Sequence, residues 1–327
     1  MGDAADTYRQ LISIRNGTHS SEYGGDFMRL GFIGAGKVGT TLGKYFVSMS
    51  VQIDKKDGIV QNFTLSGYYS RNTKSAEEAA IFTNSTKYDT LEQIIEDSDL
   101  LFLTVPDDAI SIVWDSIKRL PIKEKIICHC SGSLSSAVFS EIESTGAYAY
   151  SIHPLFAISS KTESYQTMKE AVFTLEGNEK HLEQLQKFLQ SFGNEVSVVG
   201  TEAKAKYHAA AVMASNHVVA LAQIAIHLLQ QCGFSENSAR KALGPLLCGN
   251  AASVSQKGAV EALTGPIERN DVGTVRKHMD CLETDTRELY VQLSKILIGT
   301  AKEKHPKWDY NEMEQLLSNS YRTSMHP

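Results

Sequence analysis

The run Gly34-Ala35-Gly36-Lys37-Val38-Gly39 constrains this chain more than any other feature. Three glycines at this spacing follow the apolar stretch Met28 to Ile33 and open an amphipathic stretch over 37–50. That context specifies a strand, a tight turn and a helix. Gly34 permits the turn, Gly36 lets a pyrophosphate approach the backbone, and Gly39 lets the helix lie close to the strand. The unpaired N–H groups of the loop and the helix start favour an anion. The alternative reading is a structural glycine turn in a domain that binds nothing.

From this loop onward, apolar strands alternate with helical patterns. Strands are expected at 28–33, 63–69, 99–105, 124–130 and 147–152, and helices at 37–50, 75–82, 90–97, 107–119 and 134–145. Continuous apolar strands separated by helices indicate a parallel sheet covered on both faces. A strand at 171–176, a helix at 179–192 and a strand at 195–199 extend this part. Beyond Thr201 only helical periodicity remains, over 202–231, 236–256, about 270–301 and 308–318. The expected fold is α/β, a doubly wound, mainly parallel sheet followed by an all-α C-terminal domain. The boundaries expected are an extension over 1–27, with a short amphipathic stretch from Tyr8 to Ile14, a nucleotide-binding domain over 28–200 and a helical domain over 201–327.

Composition narrows the partners. A net charge of -6 argues against nucleic acid or an anionic membrane surface, both of which need basic patches. Of the five cysteines only Cys128 and Cys130 are close, and residues two apart in a strand share a face. They are expected to pack as small hydrophobes, with no metal site. No apolar leader or membrane-length apolar run is read in the sequence, so a soluble cytoplasmic protein is expected.

The cofactor is read at the end of the second strand, where a carboxylate selects a ribose 2′-hydroxyl and a basic group a 2′-phosphate. Ser70-Arg71-Asn72 stands there, and the arginine fork suits a phosphate dianion. Asp54 and Asp57 fall in a polar insertion before that strand and are discounted. NADP is therefore expected over NAD, with Arg71 as an ordinary solvated arginine the alternative. Two further strand ends are expected along the cofactor, Val105-Pro106-Asp107 and Ser131-Gly132-Ser133.

The motifs GFIGAGKVG, SRN, TVPDD, HCSGSL, SIHPLFAI, YHAAAVMASNHVVAL and ALTGPIERND occur in this order. Over roughly residues 28–320 the chain resembles a family of predicted NADP-dependent oxidoreductases joining a Rossmann-like domain to an uncharacterised helical domain. Wider relatives are the 6-phosphogluconate dehydrogenase-like enzymes and the ketopantoate and pyrroline-5-carboxylate reductases. The resemblance implies a homodimer formed through the helical domain. In the hydroxyacid dehydrogenase relatives a Lys-x-x-x-Asn pair provides an acid and a substrate ligand. Here Lys204 is followed four residues on by His208, and Lys206 by Ala210.

Hydride transfer to a carbonyl or imine needs a held acceptor carbon and a proton donor. On the helix expected over 202–231, His208 and Ser215 share one stripe with Asn216 adjacent, and a stripe facing the cleft sets His208 as acid and Asn216 as substrate ligand. A satisfied core histidine and a helix-packing asparagine are the alternative. His153, before Pro154 at the end of the last strand of the first run, is a further candidate, its backbone direction restricted by the proline. Tyr207 is expected to pack. The expected function is NADP(H)-dependent hydride transfer to or from a small carbonyl or imine metabolite at an inter-domain cleft. Two alternatives stand beside it: an NADP-binding sensor without turnover, and a deazaflavin-dependent NADP oxidoreductase.

Overall fold

A computed structural model describes residues 28–53 and 63–319. The extension over 1–27, with its Tyr8 to Ile14 stretch, and the insertion holding Asp54 and Asp57 lie outside the described residues. Contacts divide the chain into two compact units, one ending at Val212 and the other beginning at Met213.

The first unit is built on eight strands: β1 (Met28–Ile33), β2 (Phe63–Tyr69), β3 (Thr86–Tyr88), β4 (Leu100–Leu103), β5 (Ile126–His129), β6 (Tyr148–Leu155), β7 (Val172–Gly177) and β8 (Val196–Val198). Their order across the sheet is β3-β2-β1-β4-β5-β6-β7-β8, and every neighbouring pair is parallel except β6 with β7. The chain reverses sheet direction between β3 and β4, so the carboxyl ends of β1 and β4 flank the crevice where such sheets take ligands. Helices α1 (Lys37–Ile53), α2 (Thr73–Thr83), α3 (Leu91–Glu96), α4 (Asp107–Ile117), α5 (Ile142–Thr145) and α6 (Glu179–Ser191) cover both faces.

Strand alternation sorts the core into two layers. Leu30, Phe32, Phe102, Cys128 and Tyr150 face one way, onto Leu42 and Phe46 of α1 and Phe188 of α6. Leu101, Leu103 and Ile127 face the other, onto Ile110 and Trp114 of α4. Cys128 and Cys130 both join the first layer.

Three sequence expectations in this unit are altered. The strand β3 was not foreseen, because Thr86-Lys87-Tyr88 has no apolar run and pairs only along Gly67 to Tyr69. The helix expected over 134–145 is instead a 3-10 turn at Ser136–Val138 and the single turn α5. Glu176 takes the Ser136 N–H and Oγ, each at 2.7 Å, and Glu141 turns left-handed at φ 61°. The expected boundary at Gly200-Thr201 falls within the first unit, whose last helix, α7 (Lys204–Ala214), starts on the sheet edge.

The second unit contains α8 (Asn216–Gln231), α9 (Glu236–Ala262), α10 (Val272–Cys281), α11 (Thr284–Lys304) and α12 (Asn311–Asn319). Its core gathers Ile267, Val275, Met279, Val291, Ile298, Tyr310 and Met313. The continuous helix expected over 202–231 breaks at Ser215, whose φ of -121° and ψ of -78° are not helical. By length and apolarity alone the stretch Thr201–Gln231 could cross a membrane. The break leaves helices of 11 and 16 residues, each shorter than a bilayer requires. The pattern over 270–301 is likewise two helices, separated where Leu282 and Glu283 turn extended.

One buried side chain ties α1 to the far edge of the sheet. The Tyr45 hydroxyl donates to Asn194 Oδ1 at 2.7 Å, while Asn194 Nδ2 donates to the carbonyls of Met168 and Ala171 at 3.0 and 2.9 Å. Asn194→Ala should cost about 1–3 kcal/mol, because it takes the nearer acceptor from the Tyr45 phenol and a donor from the Met168 and Ala171 carbonyls, while the phenol keeps only the Phe192 carbonyl at 3.4 Å. Urea unfolding of the variant against wild type checks this.

Candidate functional site

The glycine loop leaves β1 with Gly34 at φ +114°, where an L side chain is strained. The Gly34 N–H donates to the Tyr69 carbonyl at 2.8 Å, and Thr104 Oγ1 donates to the Gly34 carbonyl at 2.8 Å. A Cβ on Gly34 would lie 2.6 Å from the Thr104 carbonyl, and one on Gly39 would lie 2.4 Å from Thr104 Oγ1. Packing thus explains both of these glycines. Gly36 is different: it is exposed, its φ is ordinary, and a Cβ there would meet nothing within 4 Å. Nothing in the fold calls for glycine at that position. Ala35 is buried, Lys37 is exposed and Val38 packs partly on the first core layer.

Ser70-Arg71-Asn72 follows β2, with Arg71 and Asn72 exposed. Asn72 caps α2, its Oδ1 accepting the Ser75 N–H at 3.2 Å. Arg71 carries no ion pair among the described residues. After β4, Val105 is half-buried and Pro106 precedes α4. Asp107 opens that helix, and its Oδ2 accepts from the hydroxyls of Ser131 at 2.7 Å and Ser133 at 3.0 Å.

The carboxyl ends of β5 and β6 gather a denser polar cluster. His129 is fully buried; its Nδ1 accepts the Ser131 N–H at 3.1 Å, so Nε2 carries the proton toward the Ser135 carbonyl at 3.1 Å. Lys204, only 2% exposed, donates to the Ser131 carbonyl at 3.1 Å and to Ser151 Oγ at 2.8 Å. Burial lowers the lysine's pKa against the opposing charges of Glu176, Cys130 and Asp107. One turn on, the Tyr207 hydroxyl meets His153 Nδ1 at 2.7 Å. The rings of His153 and His208 stand edge to face, with centroids 6.3 Å apart. Both face Gly132, where a Cβ would lie 2.5 Å from His208 Nδ1 and 3.0 Å from His153 Nε2. His208 Nδ1 is buried without a hydrogen-bond partner.

The structure thus brings His153 and His208 together beside Ser131 and Gly132, which themselves are tied to Asp107. Asn216 opens α8 in the second unit, after the break at Ser215; it is exposed and accepts from Ser215 Oγ at 3.1 Å. Tyr207 was expected only to pack, yet it bonds to His153. Reasoning from sequence also missed Ser151 and Glu176. Glu176, buried in β7, holds Ser136 and accepts from Thr201 Oγ1 at 3.0 Å. A lone glutamate in the apolar strand VFTLEG was the available signal.

Burial, before any charge, brings both His129 and His153 down to about 4; for His153 the charge of Lys204 and the neighbouring His208 add to it. An unfolded imidazole titrates near 6.5, so the unfolded chain binds more protons between about 4 and 6.5. Stability is therefore full above pH 6.5 and falls as the pH drops through that window. At pH 5 the loss should be about 2 kcal/mol per histidine. Urea midpoints at pH 7 and pH 5 measure it, and His129→Gln should show a smaller drop than wild type.

Comparisons with known proteins place this arrangement. A Rossmann-like domain model matches residues 15–154, and a model for a domain of unknown function, DUF2520, matches residues 171–296. Protein TM1727 from Thermotoga maritima is 26% identical, with a TM-score of 0.63 over 84% of this chain and 99% of that one. A Bacteroides fragilis protein described as a candidate NADP oxidoreductase, BF3122, is 22% identical, with a TM-score of 0.64 over 83% and 98%. The reductive aminase from Aspergillus terreus, solved with NADPH and ethyl-5-oxohexanoate, is 15% identical, with a TM-score of 0.54 over 91% and 94%. The latter two are likenesses of fold. A search of curated proteins finds no match. The chain thus joins a Rossmann-like domain to a DUF2520 domain.

Proposed function

We propose that this protein is an NADP(H)-dependent oxidoreductase that reduces a small carbonyl or imine metabolite. The observation that carries this reading is Gly36. Its neighbours Gly34 and Gly39 are glycines because Thr104 leaves no room for a side chain, whereas Gly36 faces open space at the start of a helix. A glycine without an internal reason is accounted for by a ligand that must approach the backbone closely, as a pyrophosphate does.

The residues present fit the dinucleotide. The helix start offers N–H groups to the pyrophosphate, with no acidic side chain in the first turn of α1 to oppose it. Arg71, exposed and free of carboxylate partners among the described residues, is placed at the end of β2 to meet a 2′-phosphate, with Ser70 beside it; Asn72 serves the α2 cap. Val105, Pro106, Asp107, Ser131 and Gly132 line the adjoining strand ends. The NADP-bearing reductive aminase that shares the fold supports the same cofactor.

When bound, NADPH supplies the hydride. The protein's own task is to orient the acceptor and deliver a proton. His208 is the proposed donor, with His153 beside it at the carboxyl edge of β6. Asn216 remains a proposed substrate ligand only by its position in the chain. The helical unit is proposed to form the homodimer, supported by apolar side chains left exposed on it, among them Val219, Leu246 and Ile296 at 70, 61 and 64%.

Fluorescence titration with NADPH tests the cofactor reading. Gly36→Ala should leave the thermal midpoint nearly unchanged and weaken NADPH binding at least tenfold. Gly39→Ala, by contrast, should lower the midpoint, since its Cβ strikes Thr104. Arg71→Ala should weaken NADPH far more than NADH, and equal losses would sink the 2′-phosphate assignment.

Turnover tests the reaction. Nicotinamide absorbance at 340 nm should change with some member of a panel of carbonyl and imine metabolites. His208→Ala should lower that rate by roughly 10²-fold or more with NADPH affinity intact. Cofactor binding with no turnover across the panel would favour the sensor.

A further inference from the structure

We infer that the substrate is an oxo compound whose carbonyl oxygen is held by the Nε2–H of His153, and that Tyr207 is the positioning residue that makes His153 a donor there. The inference rests on the reductase reading above and narrows its substrate class.

The phenol and imidazole meet at 2.7 Å, and one proton lies between them. A phenol is a much stronger proton donor than a neutral imidazole, and an imidazole nitrogen a much better acceptor than a phenol oxygen. The bond therefore runs from Tyr207 O–H to His153 Nδ1. A neutral imidazole has one N–H and one lone pair. With Nδ1 accepting, the proton of His153 must sit on Nε2. Burial, assisted by the Lys204 charge, keeps the ring neutral at physiological pH.

The direction of that N–H is fixed as well. Pro154 restricts the His153 backbone, which pairs with Thr174 across the antiparallel β6 and β7. Tyr207 anchors the other ring nitrogen, and Nε2 faces Gly132 beside the His208 ring. Tyr207 is itself placed by α7, whose first residue, Lys204, is bonded to the ends of β5 and β6. A Thr174 side chain lies by the phenol.

This constellation discriminates between the two substrate classes. In carbonyl reduction the carbon gains the hydride of NADPH, the C=O electron pair moves onto oxygen, and oxygen takes a proton from His208, the donor proposed above, to become the alcohol as NADPH becomes NADP⁺. Negative charge develops on oxygen, and a fixed N–H donor with a nearby ammonium stabilises it. An iminium nitrogen bears a positive charge and, when protonated, its own N–H, so the same donor and the same ammonium repel it. It would need a free carboxylate. Of the two carboxylates of the cluster, Glu176 is buried and taken up by Ser136 and Thr201, and Asp107 is bonded to the serine loop rather than to the histidines, its Oδ2 accepting from Ser131 and Ser133.

The test is equilibrium binding to the full chain, with and without NADPH, of two unreactive probes. Oxamate presents a carbonyl oxygen and a carboxylate, and pyrrolidine presents the cation of a reduced cyclic imine. Calorimetry gives the affinities, and nitrogen-15 histidine spectra, with His153→Phe to identify the resonance, report the ring. The expected results are a His153 ring protonated on Nε2 and bare on Nδ1, oxamate binding at least tenfold tighter than pyrrolidine, and a shift of the His153 Nε2 signal on addition of oxamate. His153→Phe and Tyr207→Phe should each weaken oxamate at least tenfold and leave NADPH affinity unchanged. Tighter binding of pyrrolidine, binding of neither probe, or a proton on Nδ1 would overturn the inference. The wild-type spectra and titrations decide even where a variant fails to fold. Failure to bind NADPH would instead overturn the reductase reading, because the probe titrations without cofactor still report on His153.

Discussion

Thr104 sets the geometry on which the nucleotide end of this molecule depends. Its hydroxyl donates to the Gly34 carbonyl and its N–H to the Ile33 carbonyl; its own carbonyl fills the space a side chain at Gly34 would need, and its Oγ1 the space one at Gly39 would need. One residue at the end of β4 thereby closes β1 onto its neighbour, fixes the turn and brings α1 down on the sheet. The loop is rigid on the side that faces the protein. Only Gly36 is left bare on the other side, and so an otherwise structural turn can serve as a cradle for an anion.

A second set of constraints acts at the ends of β5 and β6, where charges are buried. Lys204 and Glu176 are each about 2% exposed and do not pair directly. Each is instead satisfied by hydroxyls and backbone groups of the intervening segments, Lys204 by Ser131 and Ser151, Glu176 by Ser136 and Thr201. Stranding either charge would be costly, so the serine loop after β5 has little freedom to move. This loop carries Gly132, on which the two histidines converge. The rigidity of the cluster thus comes from desolvated charge rather than from apolar packing.

How much of this was legible in the sequence depends on the range of the interaction involved. The strands and the glycine loop were legible because they are written in contiguous apolar runs and fixed spacings: β1, β2 and β7 lie within a residue of where the pattern put them. The helix expected over 134–145 failed because its first turn is captured by Glu176, forty residues further along. The single helix expected over 202–231 failed at Ser215, where periodicity continues while the backbone does not. Periodicity reports which residues prefer one face, and a single non-helical residue leaves that preference intact on both sides. The count that set Asn216 on one side with His208 assumed a helix running through Ser215. The partnership of Tyr207 with His153 joins residues 54 positions apart and has no local signature at all.

The departure from the Lys-x-x-x-Asn pattern gains a physical meaning from the burial of Lys204. In this chain the ammonium is turned into the wall, bonded to the Ser131 carbonyl and Ser151 hydroxyl, and almost none of it reaches solvent. A group held that way acts through its charge and through the position it gives to its helix. One turn on, the asparagine position is taken by His208, whose ring is steered by Gly132 and His153 rather than by the lysine. The same helix start thus serves two ends: its first residue fastens α7 to the sheet and biases His129 and His153 toward neutrality, and its next turn presents Tyr207 and His208. Because the fastening and the presenting groups are different residues, the chemistry can reside on imidazole nitrogens while the lysine keeps a wholly structural set of bonds.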